Sequence, residues 1–266
     1  MKNLENRKIL ITGASSGIGK ATAEALAPYN PRLILVARNS NGLSKLATDL
    51  KTRYPRISYP TCISCDITKL DEVERMANTC KRLFGTVDVL INNAGYGVYG
   101  ESVQTTMEDF REVMNVNFFG AINCMYSVLP MMKKTGRGQI INIASVAALH
   151  GVPYLSAYGA SKAALASVSQ SLRAELFDTE IKVNVIYPGY TKTNFFKNEK
   201  KVGKAVRPSG PYMPPEKVAK GIIKTIVKSH GDRVIGREGH MLKFLNSLNP
   251  GIVEFLLKRV ANKLRS

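Results

Sequence analysis

The sequence predicts an α/β fold: a doubly wound, seven-stranded and mainly parallel sheet with helices on both faces. Three observations predict it. Short apolar runs rich in Val, Ile and Leu alternate with longer helix-patterned segments along most of the chain, the order that buries a parallel sheet between two helical layers. The first run leads directly into a glycine-rich turn and then a helical pattern, as a βαβ nucleotide site begins. The chain has 266 residues, 44% of them hydrophobic, enough for one large domain with a real core and a poorer match to two independent ones.

The elements follow in order. Lys8–Thr12 reads as the first strand, Gly13-Ala-Ser15-Ser16-Gly17-Ile18-Gly19 as the turn, and Lys20–Leu26 as the start of a helix. Glycines let the backbone approach a pyrophosphate, and a helix start offers free N–H groups and the positive end of a dipole. The second strand, Leu33–Ala37, ends at Arg38. An acid at this point would hold ribose hydroxyls; a forked cation suits a 2′-phosphate, with Ser15 or Ser16 adding a hydroxyl. A solvated arginine at a strand end is the competing reading. A third strand is expected near Ile57–Ser64, followed by Asp66 within reach of an adenine amino group, then a helix over Glu72–Phe84 and a fourth strand at Val87–Ile91. Asn92-Asn93-Ala94-Gly95 follows as a polar turn of small residues, either closing over a cofactor or simply turning the chain. The fifth strand covers Gln139–Ala144, the sixth Lys182–Tyr187 before Pro188-Gly189, and the seventh Asp232–Ile235 after a helix over Glu216–Ser229.

The chemistry concentrates between Ser145 and Lys162. Tyr158 and Lys162, four apart near the start of an Ala-rich helix, share one helix face. A phenol, an ammonium and a hydroxyl at one point can move a proton at a carbonyl or alcohol carbon. An isolated tyrosine has a pKa near ~10, and an adjacent cation favours its phenolate. Taken alone, Tyr-x-x-x-Lys is a spacing that chance produces easily.

Composition narrows the field. The first eight residues carry no apolar core of a signal peptide, and no run approaches the ~18 apolar residues of a membrane span, so a cytoplasmic chain is expected. Cys62 and Cys65 form a Cys-x-x-Cys without a second pair of ligand spacing, inside a strand-like apolar run; reduced buried thiols are expected and no metal. The net charge is +18, and its distribution is uneven: residues 1–190 hold 21 Lys and Arg against 15 Asp and Glu, residues 191–266 hold 17 against 5. Two-thirds of the excess lies in the last 76 residues, a field that favours anionic partners. Nucleic acid is not among those expected, because no binding module for it is present.

Thr12-Gly-Ala-Ser-Ser-Gly-Ile-Gly19, Asn92-Asn-Ala-Gly95, Val116-Asn117, Ser145, Tyr158-Gly-Ala-Ser-Lys162 and Pro188-Gly189, in this order and at these intervals, resemble the short-chain dehydrogenase/reductase family in its single-domain form. The match reaches to about residue 235. The resemblance implies a Rossmann-type sheet and an NADP(H)-dependent oxidoreductase acting on a small carbonyl or alcohol. It implies that Tyr158 donates the proton in reduction, that Lys162 lowers its pKa and bonds the nicotinamide ribose, and that Ser145 holds the substrate oxygen. Asn117 would anchor a water leading from Lys162 to solvent, the alternative being an Asn that bonds its own helix. Gly13, Ser15, Ser16, Gly17, Ile18, Gly19, Arg38, Asp66, Ile67, Asn93, Ala94, Gly95, Pro188, Gly189, Thr191 and Thr193 would hold the cofactor together with Tyr158 and Lys162, Arg38 carrying the sign for NADP. A homodimer or homotetramer through the helices bearing Asn117 and Tyr158 is a further family expectation.

On this reading residues 1–239 form the NADP-binding domain, and its substrate loop is 190–215, where Tyr96, Tyr154, Tyr190, Phe195 and Phe196 are candidates for an apolar wall. Residues 240–266 form a basic amphipathic helical extension with two stripes, Met241, Leu242, Phe244, Leu245 and Leu248, then Val253, Leu256, Leu257, Val260 and Leu264, facing Lys258, Arg259, Lys263 and Arg265. The stripes either pack on the body or a partner subunit, or lie on an anionic membrane. The apolar tail points to an acyl-chain or lipid-like ketone or aldehyde. A 3-oxoacyl-thioester reductase is the alternative, and a non-catalytic NADP-binding sensor or scaffold is the reading of another class, opposed by the complete set of Asn117, Ser145, Tyr158 and Lys162.

Overall fold

The computed structural model describes residues 4–195, 199–204, 206–207, 212–228 and 231–264. Phe196, Pro208, Pro211, Ser229 and Arg265 lie outside the described residues. Seven strands, β1 (Lys8–Thr12), β2 (Arg32–Ala37), β3 (Thr61–Ser64), β4 (Val89–Asn92), β6 (Arg137–Ile143), β7 (Glu180–Pro188) and β9 (Arg233–Ile235), form one sheet in the order β3-β2-β1-β4-β6-β7-β9. Every pairing in it is parallel. The expected seven-stranded doubly wound sheet is present, and the order reverses between β1 and β4.

Alternation within the strands sends side chains into two cores. Leu10, Ile34, Val36, Leu90, Ile140 and Val183 face one helical layer together with Val73, Cys80, Cys124 and Leu165. These last four belong to α3 (Leu70–Phe84), α5 (Gly120–Thr135) and α6 (Ser156–Glu175). Ile9, Ile11, Leu33, Leu35, Ile91 and Ile186 face the other, built from α1 (Gly17–Leu26), α2 (Ser40–Arg53) and α7 (Pro215–Lys228). A strand buried on both faces reads as a continuous apolar run, which is why these runs carried no alternation.

Several boundaries move by a residue or two, and three differences from expectation stand out. β3 begins at Thr61, not near Ile57, because Pro60 has no N–H to give to the sheet; Ile57 is buried ahead of the strand. Asn92 belongs to β4 and not to a turn, pairing in register with Asn142. Its amide donates to Asn142 Oδ1 at 2.9 Å, and Asn142 donates to Ser169 Oγ at 2.7 Å, a buried polar chain that ties α6 to the sheet behind it. The third difference is an addition: β5 (Val98–Gly100) and β8 (Lys200–Val202) form a small separate parallel pair. Lys200 anchors it further by reaching buried Asp109 at 2.5 Å, on α4 (Met107–Met114).

After β9 come α8 (Arg237–Leu248) and α9 (Pro250–Lys263), joined by Asn249, whose side chain caps α9 through Gly251 N. The expected stripes divide differently from the sequence reading. Leu242, Leu245, Leu257 and Leu264 are half-buried and Val253 is buried, whereas Met241, Phe244, Leu248, Leu256 and Val260 are exposed. No helix among the described residues is long and apolar enough to cross a membrane.

Candidate active site

A cleft of about 1030 Å³ opens over the carboxyl ends of the strands at the β1–β4 reversal, where open α/β sheets bind their ligands. At one end lies the glycine turn. Gly13 holds φ +66, and a Cβ there would sit 2.9 Å from Ala94 Cα, so glycine is required on both counts. Gly19 stands behind the turn; a Cβ on it would meet Gly13 O and, at 2.6 Å, Asn93 Nδ2. It packs against the turn itself and does not line the cleft. Ser16, the N-cap of α1, makes no side-chain cap, leaving the first N–H groups of the helix facing the cleft for an anion.

Thr12 secures the opposite lip. Its hydroxyl oxygen accepts from Asn93 N at 3.0 Å and Ala94 N at 3.1 Å, while Asn93 Nδ2 donates to Thr12 O at 2.9 Å. Ser15, Ser16, Gly17, Ile18, Arg38, Asp66, Ile67, Asn93, Ala94 and Gly95 all line the cleft with Gly13. Arg38 is exposed and makes no salt bridge among the described residues, a free guanidinium at the cleft edge. Asp66 is held at Oδ1 by Thr68 N at 3.0 Å and Thr68 Oγ1 at 2.8 Å.

At the other end Ser145, Tyr158, Lys162, Pro188, Gly189, Thr191 and Thr193 line the same cleft. Ser145 ends the β6 segment and caps the short turn after it, its Oγ accepting from Ala147 N at 3.2 Å. Tyr158 and Lys162 stand one turn apart on the first part of α6, and the Ser145 hydroxyl acts on the Tyr158 phenol, favouring its ionised form. Lys162, 3% exposed, donates to Ile143 O at 2.8 Å, with Nζ 6.0 Å from the Tyr158 ring centre.

Asn117 does not reach the cleft; it supports it. The helix widens to a π turn over Asn115–Phe119, and this frees Asn117 from its own helix. Its Oδ1 accepts from Tyr96 N at 2.7 Å, and its Nδ2 donates to Tyr96 O at 2.8 Å and Ser161 Oγ at 2.9 Å. The side chain thus clamps the loop after β4 to α6. A Cβ built on Gly95 would lie 3.2 Å from Asn117 Oδ1 and 3.4 Å from Lys162 Nζ, so the three residues meet.

Burial moves the two titrating groups in opposite directions. It pushes Tyr158 up to about 12, partly offset by the Ser145 hydrogen bond, and pushes Lys162 down to about 8. A lysine that lowers the tyrosine's pKa is the expectation from sequence; in the protein alone burial is the largest cause and the shift is upward, while the Lys162 ammonium donates to Ile143 O. Tyr158 is only half-buried by area and opens onto the cleft, so water there moderates its shift, whereas Lys162 has no such relief.

The sequence reading missed one cluster. Glu199, buried, forms a forked pair with Arg207, whose guanidinium lies 4.3 Å from the Tyr99 ring centre and lines the cleft. Phe195 stacks edge-on against Tyr158 at 5.5 Å, and Tyr96, Tyr190 and Phe195 line the cleft while Tyr154 does not.

A family model described as short chain dehydrogenase matches residues 7–202. The chain belongs to this family of oxidoreductases. It is 31% identical over 274 residues to a Drosophila melanogaster dehydrogenase/reductase SDR family protein 7-like, covering 99% of this chain and 83% of that one. It is 29% identical to the ketoacyl reductase HetN of Nostoc, over 100% and 96%. Among solved structures, a Burkholderia cenocepacia short chain dehydrogenase in complex with NADP superposes with a TM-score of 0.81 at 25% identity, covering 96% and 98%.

Proposed function

We propose that this protein is an NADPH-dependent reductase of a ketone or aldehyde, reversible to alcohol oxidation. The observation that carries the reading is the meeting of Ser145, Tyr158 and Lys162 in the cleft that also holds the glycine turn and the uncapped start of α1. The glycine turn and α1 fit a pyrophosphate, Asp66 an adenosine, and the free Arg38 a 2′-phosphate. Pro188, Gly189, Thr191 and Thr193 fit a nicotinamide beside Tyr158. When bound, the nicotinamide supplies the hydride. The chain's residues do the rest. Ser145 holds the substrate oxygen, Tyr158 gives it the proton, and Lys162 compensates the phenolate left behind. Asn117 keeps Lys162 and the loop at Gly95 in place and sits where a proton-carrying water would leave.

The loop at 190–215 supplies the substrate wall, with Phe195 and Tyr190 favouring an apolar or acyl-chain substrate. The likeness to a ketoacyl reductase favours a 3-oxoacyl thioester as the second reading. We place the protein in the cytoplasm, with peripheral membrane contact through 240–266, and as a dimer or tetramer. Met107, Phe119 and Tyr126 are exposed on the helices around Asn117 and suit a subunit contact. The test is Tyr158→Phe with a panel of carbonyl substrates that includes acyl thioesters, followed by NADPH consumption. Loss of at least ~100-fold in kcat with NADPH binding retained is expected; turnover within a few-fold of the parent, with the fold intact, rules the reading out.

A further inference from the structure

The two C-terminal helices are apolar on two sides. One side of each meets the body: Gly239 of α8 lies so close to Val234 that a Cβ would come within 2.7 Å of it, and Val253 of α9 is 2% exposed. The other side is turned to the exterior. Met241, Phe244 and Leu248 on α8, and Phe255, Leu256 and Val260 on α9, are 40–63% exposed, at spacings that make one stripe per helix. Scattered exposed apolar residues need no explanation, but a run of this size on consecutive helices marks an interaction surface.

Its chemistry selects the occupant. Arg259 lies 4.6 Å over the Phe255 ring, and Lys258 and Lys263 are exposed beside it. Long cationic side chains lying along apolar surface with their heads outward suit an anionic lipid interface. A second copy of the chain would bring the same cations face to face across a twofold contact, in a region that holds 17 Lys and Arg against 5 acids.

The inner side of the helices is wired to the cleft. Tyr154 Oη donates to Ala261 O at 3.0 Å, and Val206 N donates to Leu264 O at 3.3 Å. Val152 and Leu155 flank Tyr154 and line the cleft, as does Arg207 next to Val206. Tyr154 itself holds φ +65 without being glycine, a conformation that persists only where the surroundings impose it. We propose that the outward stripes of α8 and α9 dock on an anionic lipid bilayer and that this docking sets the rim of the cleft, so that the carbonyl substrate is taken from the lipid phase. The second half rests on the reductase reading; the first does not.

The experiment uses the full chain, vesicles of phosphatidylcholine with roughly 30% phosphatidylserine, and vesicles of phosphatidylcholine alone. Co-sedimentation with the anionic vesicles is expected, weakening with salt, and falling roughly tenfold or more in a combined Phe244→Ser, Phe255→Ser, Leu256→Ser variant that keeps its turnover of a water-soluble ketone. Anionic vesicles should raise parent turnover of a bilayer-dissolved ketone, and Tyr154→Phe should keep vesicle binding while losing that stimulation. Equal sedimentation of parent and variant, or none by the parent, overturns the docking surface. So does a concentration-dependent dimer that the triple substitution abolishes, which gives the stripes to a second copy. Turnover indifferent to vesicles overturns the coupling alone. Sedimentation needs no catalysis, so failure of the reductase reading leaves that arm readable.

Discussion

Replacing Lys162 by Met should make the protein more stable and nearly inactive. Lys162 is 3% exposed and burial holds its pKa near about 8, against an ordinary 10.5. The folded state therefore releases this proton more readily than the unfolded chain does. Stability rises with pH between the two values, and the full penalty of the buried charge is felt below 8. At 1.36 kcal/mol per pH unit the penalty is about 3 kcal/mol at pH 7 and about 1 kcal/mol at pH 9.5. Met fills a similar volume without charge, and loses the bond to Ile143 O, worth roughly 1 kcal/mol. Urea unfolding of the cofactor-free proteins should find the variant about 2 kcal/mol more stable at pH 7, with the advantage gone near pH 9.5. Taking the difference between the two proteins cancels Cys65 and Cys80, whose raised pKa values, about 11, act in the opposite sense in the same range. A variant less stable at pH 7, or a difference constant with pH, would refute a cation buried at a cost. A turnover near that of the parent would remove its proposed role.

Three other outcomes follow from the site. The kcat/KM for carbonyl reduction should fall as pH rises through about 8, because Lys162 loses the charge that compensates the phenolate; a profile flat to pH ~9.5 contradicts this. Arg38→Asp should weaken NADPH binding roughly 10-fold or more and leave NADH within a few-fold, measured by fluorescence titration; equal losses for both cofactors would deny Arg38 the 2′-phosphate. Asn117→Ala strands Tyr96 N and O and Ser161, costing roughly 2–4 kcal/mol and on the order of 5–10 °C in Tm; an unchanged melting temperature would show that water replaces the clamp.

How much of this was legible in the sequence depended on whether the cause was local. The buried runs of β1, β2, β6 and β7 announce themselves by composition, and the glycine turn by its place after the first of them. Tyr158 and Lys162 share a face by arithmetic on a helix. What escaped was made by distant partners. β5 and β8 are three-residue strands about a hundred residues apart, too short to carry a pattern. Glu199 and Arg207 fall in a stretch of Lys, Gly and Pro where no periodicity points inward, and the π turn at Asn115–Phe119 leaves no mark in residue type. The tail stayed open for the opposite reason: α8 and α9 are apolar at so many positions that spacing alone does not say which residues turn in.

One consequence of the sheet concerns how copies of this chain can meet. Its outermost strands are β3, with four residues, and β9, with three, and neither offers a template on which a neighbour could extend the hydrogen-bond ladder. The sheet is thus closed to growth at both rims without a barrel to close it. Short rims leave helices and loops, not strand edges, as the surfaces through which copies of this chain would meet.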